Sequence, residues 1–191
     1  MRLGILGGTF DPPHVGHLLV AEDAFAALGL DRLVFVPASA QPLKRDRPAA
    51  LPEHRLAMVR AMVVDDPRFE VSAVEVERGG LSFTVDTLRH FSDQYPTAER
   101  FLLLGADVLA SFAQWREPAA VVRLAQTVVL QRAGSSHVTG EIEGVTPVRL
   151  ETRRVDVSST EIRERVRNGK PIRGFVTEGV AALIARHGLY R

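Results

Sequence analysis

Two histidines three residues apart, His14 and His17, follow the stretch Gly7-Gly8-Thr9-Phe10-Asp11-Pro12-Pro13. If a helix begins there, the spacing puts both imidazoles on one face of its first turn. A helix start presents free N–H groups and the positive end of its dipole, which is a seat for phosphate. Gly16, between the histidines, keeps the backbone bare where a ligand approaches. The pattern is neither G-x-x-x-x-G-K-[ST] nor G-x-G-x-x-G, so it is not a Walker loop or a dinucleotide fingerprint. A second cluster, Ser158-Ser159-Thr160-Glu161 with Arg163, joins capping hydroxyls to a guanidinium able to grip phosphate bidentately. A competing reading makes His14, His17 and Asp11 the ligands of a hydrolytic metal, although zinc wants a well-placed third group.

The elements that must position these residues follow from periodicity. Leu3 to Leu6 is a short apolar strand that breaks at Gly7-Gly8. Val15, Leu18, Leu19, Phe25 and Leu28 then recur at helical spacing, closed by Gly29. Arg32 to Pro37 reads as a second buried strand. Ala38 to Pro52 carries three prolines and the cluster Lys44-Arg45-Asp46-Arg47, which suggests a mobile basic flap over substrate phosphates. A helix is expected from about Glu53 to Val64, and a partly exposed strand over Phe69 to Glu77. Ser82 or Thr84 is the expected N-cap of the next helix. Arg100 to Leu104 is a strand breaking at Gly105. Pro118 starts a short helix, and Thr127 to Leu130 is a core strand that runs into Gln131-Arg132. Residues 133–146 are the expected site of disorder. Val148, Leu150, Val155 and Val157 suggest a last strand region. Helices from Ser158 to Asn168-Gly169 and from about Thr177 to His187 finish the chain.

This alternation predicts an α/β fold: one Rossmann-like, doubly wound domain over residues 1–191. Its sheet should be mostly parallel, with helices on both faces and a helical C-terminus. Such sheets take ligands at the carboxyl ends of their strands, where the segments 7–17, 105–116 and 158–163 could converge. The formal net charge of +1 offers no global attraction to nucleic acid or to anionic membrane. Cysteine is absent, which excludes thiolate metal sites and a cysteine nucleophile. With no signal-like or membrane-length apolar run, a soluble cytoplasmic protein is expected.

Gly7 to Pro12 followed by His14-x-Gly16-His17 resembles the signature of the H-x-G-H nucleotidyltransferase superfamily. Members move a nucleoside monophosphate from a triphosphate to an acceptor phosphate. Ser158-Ser159-Thr160-x-Ile162-Arg163 resembles the second signature of that superfamily. Ser82-Phe83-Thr84-x-Asp86-Thr87-Leu88, Gly105-Ala106-Asp107 and Trp115 narrow the resemblance to the bacterial nicotinate-nucleotide adenylyltransferases, over nearly the whole chain.

The resemblance implies that ATP and nicotinate mononucleotide give deamido-NAD and pyrophosphate, a step of NAD biosynthesis, by in-line attack on the α-phosphate. It implies Mg2+ arriving with ATP and no dedicated protein metal site. Catalysis would fall to His14, His17 and Arg163. ATP would also meet Gly8, Thr9, Phe10, Gly16, Gly105, Asp107, Ser158, Ser159 and Thr160. The mononucleotide would meet Lys44, Ser82, Phe83, Thr84, Trp115 and Arg132. Three residues depart from the family pattern: Phe83 stands where tyrosine is usual, Arg116 where lysine is frequent, and Leu43 where histidine is usual. Alternatives are pantetheine-phosphate adenylyltransferase, which uses a T-x-G-H variant, a cytidylyltransferase, and a non-catalytic nucleotide sensor. Self-association into a homo-oligomer is left open.

Overall fold

Leu3 and Ile5 point to one face of strand β1 (Arg2–Gly8) and Leu6 to the other, as the two-residue period of a strand requires. The same division holds in β2 (Arg32–Pro37), where Leu33 and Phe35 face one core and Val34 and Val36 the second. It recurs in β4 (Glu99–Gly105) and β5 (Gln126–Arg132). Strands that are apolar on both faces belong to a parallel sheet covered by helices on each side. The computed structural model describes residues 1–42, 50–134 and 143–191 and has this architecture.

Six parallel strands lie in the order β3-β2-β1-β4-β5-β6, with β3 at Phe69–Val71 and β6 at Val148–Thr152. The chain builds outward from β1 to β3, crosses over, and builds outward again from β4. β1 and β4 therefore flank a topological switch point, the place where such sheets open a crevice for ligand. Helices α1 (Val15–Leu28), α2 (Pro52–Val63), α6 (Ser159–Arg167) and α7 (Glu178–Arg186) cover one face. They bury Ala21, Met58, Val59, Ile162, Val180 and Ile184 against it. α4 (Thr84–Gln94), α5 (Pro118–Leu124) and a 3-10 segment, Ala106–Gln114, cover the other with Val85, Leu88, Phe112 and Val121. No described helix is long and apolar enough to cross a membrane.

Three sequence expectations are corrected. The strand expected over Phe69 to Glu77 stops at Val71, and a short helix, α3 (Val74–Arg78), follows. The residue turned inward there is Glu75, which accepts a 2.5 Å hydrogen bond from the Thr87 hydroxyl. Alternation of valine and glutamate thus mimicked a strand. Neither Ser82 nor Thr84 caps α4: Phe83 occupies the N-cap, and Ser82 Oγ accepts from the Ser39 N–H at 2.9 Å instead. Val155 and Val157 lie beyond the last strand, since Arg153 turns to Asp23 through bonds of 2.6–3.1 Å.

The α2–α7 contact that seats the last helix is made by a glycine. A Cβ on Gly179 would lie 3.2 Å from both the Cβ and the carbonyl oxygen of Ala61. A branched side chain there must push the helices apart. We expect Gly179→Val to cost about 1–3 kcal/mol of stability, the usual range for overpacking. Urea unfolding measures it, and an unchanged midpoint would show that the contact yields freely.

Candidate active site

Beyond the carboxyl end of β1 the chain must turn sharply into α1, and glycine and proline shape that turn. Phe10 adopts a left-handed backbone, φ 49°, and is buried edge-on against Phe35 and His17. A side chain on Gly8 would strike that ring at 2.8 Å. The tight aromatic packing offsets the cost of the left-handed Phe10.

His14 is the N-cap residue of α1 and His17 its third residue, with ring centroids 3.8 Å apart. The His14 N–H donates to His17 Nδ1 at 3.1 Å. That bond fixes the neutral His17 tautomer, leaving Nε2–H as its free donor. Gly16 serves a purpose the sequence reading did not anticipate. A Cβ there would lie 3.0 Å from the His14 ring, so the glycine makes room for the imidazole. The helix start is also less open than expected. The Val15 N–H donates to the Phe175 carbonyl and the His17 N–H to the His14 carbonyl. The side chains, more than the helix N-terminus, are what this end of α1 offers to a ligand.

Electrostatics follow from burial. Desolvation, with the nearby Arg132 charge second, lowers the His14 pKa to about 4. Desolvation, with His14 second, lowers that of His17 to about 3. Both are neutral donors at pH 7. Two buried polar atoms of this segment, Thr9 Oγ1 and His14 Nδ1, have no hydrogen-bond partner among the described residues.

The second signature meets the first directly. Ser158 caps α6, accepting from the Glu161 N–H at 3.1 Å. The Ser159 hydroxyl donates to the Pro12 carbonyl at 2.8 Å. Arg163 Nη1 donates to the Asp11 carbonyl at 2.7 Å and Nη2 to Thr160 Oγ1 at 3.1 Å. The Asp11 carboxylate is turned away from the histidines. Its Oδ1 accepts from the Ala50 N–H at 3.0 Å and the Tyr190 hydroxyl at 2.6 Å. Asp11 is therefore not arranged as a metal ligand with His14 and His17.

On the other face of the crevice, a cavity of about 450 Å³ lies between β1, β4, α4 and the 3-10 segment. Gly7, Gly8, Gly105 and Asp107 form its edge toward the switch point, and Ser82, Phe83, Thr84 and Trp115 line its far side. Trp115 stacks on Phe112 with centroids 4.9 Å apart. Two of the departures from the family pattern touch each other here: the Arg116 guanidinium lies 5.0 Å over the Phe83 ring. The Asp86 and Thr87 N–H groups turn back to the Phe83 carbonyl. The first two N–H groups of α4 have no use within the helix.

The structure thus brings His14, His17, Ser159, Thr160 and Arg163 together on one side of the crevice. Ser82, Phe83, Thr84 and Trp115 lie on the other, with Asp107 at the edge between them. Arg132, expected on the mononucleotide side, lies close enough to His14 for its charge to matter there. Residues 43–49 of the expected flap, Lys44 among them, lie outside the described residues.

Sequence reasoning missed Arg55, which is 3% exposed. It donates to the carbonyls of Thr9, Ala38, Ser39 and Ala50 at 2.6–3.0 Å. An arginine in register with Val59 and Met62, on the apolar side of its helix, was the available signal. Tyr190 left no comparable signal.

Residues 5–165 match the model of the cytidylyltransferase-like family. A protein of Gemmatimonas aurantiaca named "Probable nicotinate-nucleotide adenylyltransferase" is 49% identical, over 100% of this chain and 93% of the relative. One of the same name from a Roseiflexus species is 47% identical, over 99% of this chain and 98% of the relative. Among solved structures, the Plasmodium falciparum nicotinic acid mononucleotide adenylyltransferase complexed with NaAD superposes with a TM-score of 0.79. It is 18% identical, covers 99% of this chain and 97% of its own, and so speaks to the fold.

The buried histidines have a pH signature. Unfolded, each titrates near 6.5; folded, at about 4 and about 3. Between those values the unfolded chain binds more protons, so this contribution to stability is intact above pH 6.5 and is lost as pH falls toward 4. The loss by pH 4 is on the order of a few kcal/mol. We expect the stability difference between wild type and His17→Asn to move against the wild type over that range. NMR titration of the free protein should find both imidazoles still neutral at pH 5.5; a midpoint near 6.5 would refute the assignment.

Proposed function

The chain belongs to the cytidylyltransferase-like family and, within it, to the nicotinate-nucleotide adenylyltransferases. From that premise we propose that it transfers the adenylyl group of ATP to nicotinate mononucleotide, releasing pyrophosphate and forming the deamido dinucleotide of NAD biosynthesis. The observation that carries the reading is the two-sided crevice at the switch point. Donors for a polyphosphate stand on one side, and an aromatic ring beside a helix start stands on the other. A reaction that joins two nucleotides through their phosphates needs such a pair of half-sites in line.

In this reading the mononucleotide phosphate oxygen attacks the α-phosphorus of ATP. The bond to the bridging oxygen breaks, and pyrophosphate leaves with the electron pair. No covalent intermediate with the protein is needed, because positioning and charge stabilisation supply the rate. His17 Nε2–H and the His14 ring donate to oxygens of the triphosphate. As neutral groups they act as hydrogen-bond donors without bringing a net charge. Arg163, held at the Asp11 carbonyl, has guanidinium donors left for phosphate. Thr9, Ser158 and Thr160 add hydroxyls, and Gly8, Phe10, Gly16 and Gly105 let the nucleotide approach closely, with Asp107 beside them. Ser159 takes a supporting part, since its hydroxyl holds Pro12. Mg2+ entering with ATP would be held by the phosphate oxygens and water, a setting this ion favours. It would supply charge neutralisation there. Among the described residues there is no group of three or more His, Cys, Asp or Glu placed to hold a metal.

Trp115 would stack on the pyridine ring, and the first N–H groups of α4 would donate to the ring carboxylate. Ser82, Phe83 and Thr84 shape that helix start. Lys44 and Arg132 add cations for the phosphates. A carboxamide would lose one or more charge-assisted bonds there, a preference for the acid of roughly 10- to 150-fold per contact.

Pyrophosphate release from ATP, measured with each acceptor in turn, tests the whole reading. Nicotinate mononucleotide should be used at least tenfold better than its amide in kcat/KM, and pantetheine phosphate not at all. His17→Ala should lower kcat by ~10²–10³, as loss of one preorganised donor does. Trp115→Ala should weaken acid and amide by similar factors. Equal use of acid and amide by the wild type would remove the nicotinate assignment.

A further inference from the structure

Tyr190 lies 179 residues from Asp11 in sequence, yet its hydroxyl donates to Asp11 Oδ1 at 2.6 Å. Its backbone is in the left-handed region, φ 65°, which a bulky side chain rarely accepts. Its neighbour Leu189 is tied back to the Ile184 carbonyl, and both residues pack on the α1–α2–α7 side of the core. A strained backbone that delivers one hydroxyl to one carboxylate is held for that contact. The groups facing it are the Asp11 carboxylate and the Arg55 and Arg163 guanidinium groups, each close enough for its charge to act on the phenol.

We infer that Tyr190 is a positioning residue of the adenylyl-transfer site, acting through Asp11 to hold the segment from Thr9 to His14 in register for the triphosphate. The route is short. Asp11 is gripped at its carboxylate by Tyr190 and Ala50, and at its carbonyl by Arg163. Thr9, with its unpartnered buried hydroxyl, lies two residues before Asp11, and His14, with its unpartnered Nδ1, three residues after. Without the phenol hydroxyl, Asp11 keeps one hydrogen bond from a backbone amide and loses the stronger one. Its carbonyl and the Arg163 fork are then free to rotate together. The effect should fall on the ATP side first, because Tyr190, Asp11 and the direct partners of Asp11 among the described residues, Ala50 and Arg163, do not line the cavity that holds Phe83 and Trp115.

This inference rests on the function proposed above, and its test separates the two. Tyr190→Phe keeps the ring and its packing and removes only the hydroxyl. The expected result is a fall of about tenfold or more in kcat/KM for ATP, the range for one hydrogen bond to a charged group. KM for nicotinate mononucleotide should stay within twofold, and the thermal midpoint near that of the wild type. In an Asp11→Ala background the same substitution should have little further effect, as coupled residues require. Affinity for a non-hydrolysable ATP analogue, measured by calorimetry without acceptor, should fall in parallel. That arm stands even if the wild type proves to use another acceptor, an outcome that would overturn the proposed function and not this inference. Wild-type kcat/KM for ATP in Tyr190→Phe would overturn it. So would equal losses for both nucleotides accompanied by a lowered thermal midpoint, the mark of a merely structural residue.

Discussion

A guanidinium taken out of water must find its hydrogen bonds inside the protein, and the site depends on how Arg55 finds them. Four backbone carbonyls, from Thr9, Ala38, Ser39 and Ala50, surround it. None is charged, so burial lowers its pKa, with Asp11, Tyr190 and Glu53 partly offsetting the effect. Burying a cation against neutral acceptors is expensive, and removing it would leave several carbonyls unpaired. What the cost secures is geometry. The loop after β1, the loop after β2 and the start of α2 meet at one planar fork that tolerates little variation in direction. The loop after β2 also accepts the Ser82 N–H at the Ala40 carbonyl, which extends the constraint to the entrance of α4.

The crevice combines two electrostatic styles. On the α1 side, burial keeps the histidines neutral, so they are oriented dipoles whose charge is not spent in the resting state. Arg163 and Arg132 supply fixed charge beside them. On the α4 side there is a buried carboxylate, Glu75, against the Thr87 hydroxyl, with Arg78 Nη2 3.4 Å from that same hydroxyl. Glu75 thereby fastens α3 to the first turn of α4. Fixed, hydrogen-bonded dipoles of this kind need little reorganisation when a reaction develops charge.

Much of the sheet was legible because its strands are apolar on both faces, giving unbroken runs at Leu3–Leu6, Arg32–Pro37, Arg100–Leu104 and Thr127–Leu130 that nothing else explains well. The helix stop at Gly29 was equally plain, with a left-handed φ of 56°. Short, half-exposed segments were not legible. Val74 to Glu77 alternates like a strand, yet its direction is decided by Glu75 meeting Thr87, a partner twelve residues away. The N-cap of α4 failed for a related reason: Ser82 had a better use across the crevice, at Ser39. The two signature segments stood out as phosphate-binding candidates from residue type and spacing alone. Their mutual grip through Pro12, Asp11, Ser159 and Arg163 could not, because it spans some 150 residues and leaves no local pattern.

That long reach bears on when the protein becomes competent during synthesis. The segment from Thr9 to His14 emerges from the ribosome early, while Ser159, Arg163 and Tyr190, which hold it, are 147, 152 and 179 residues behind their partners. β1 cannot meet β4 until Glu99–Gly105 has been made. While only β1, β2 and β3 have been made, the segment from Thr9 to His14 lacks these braces. The contacts from Ser159, Arg163 and Tyr190 that fix this segment in the folded protein can form only after those residues have been made.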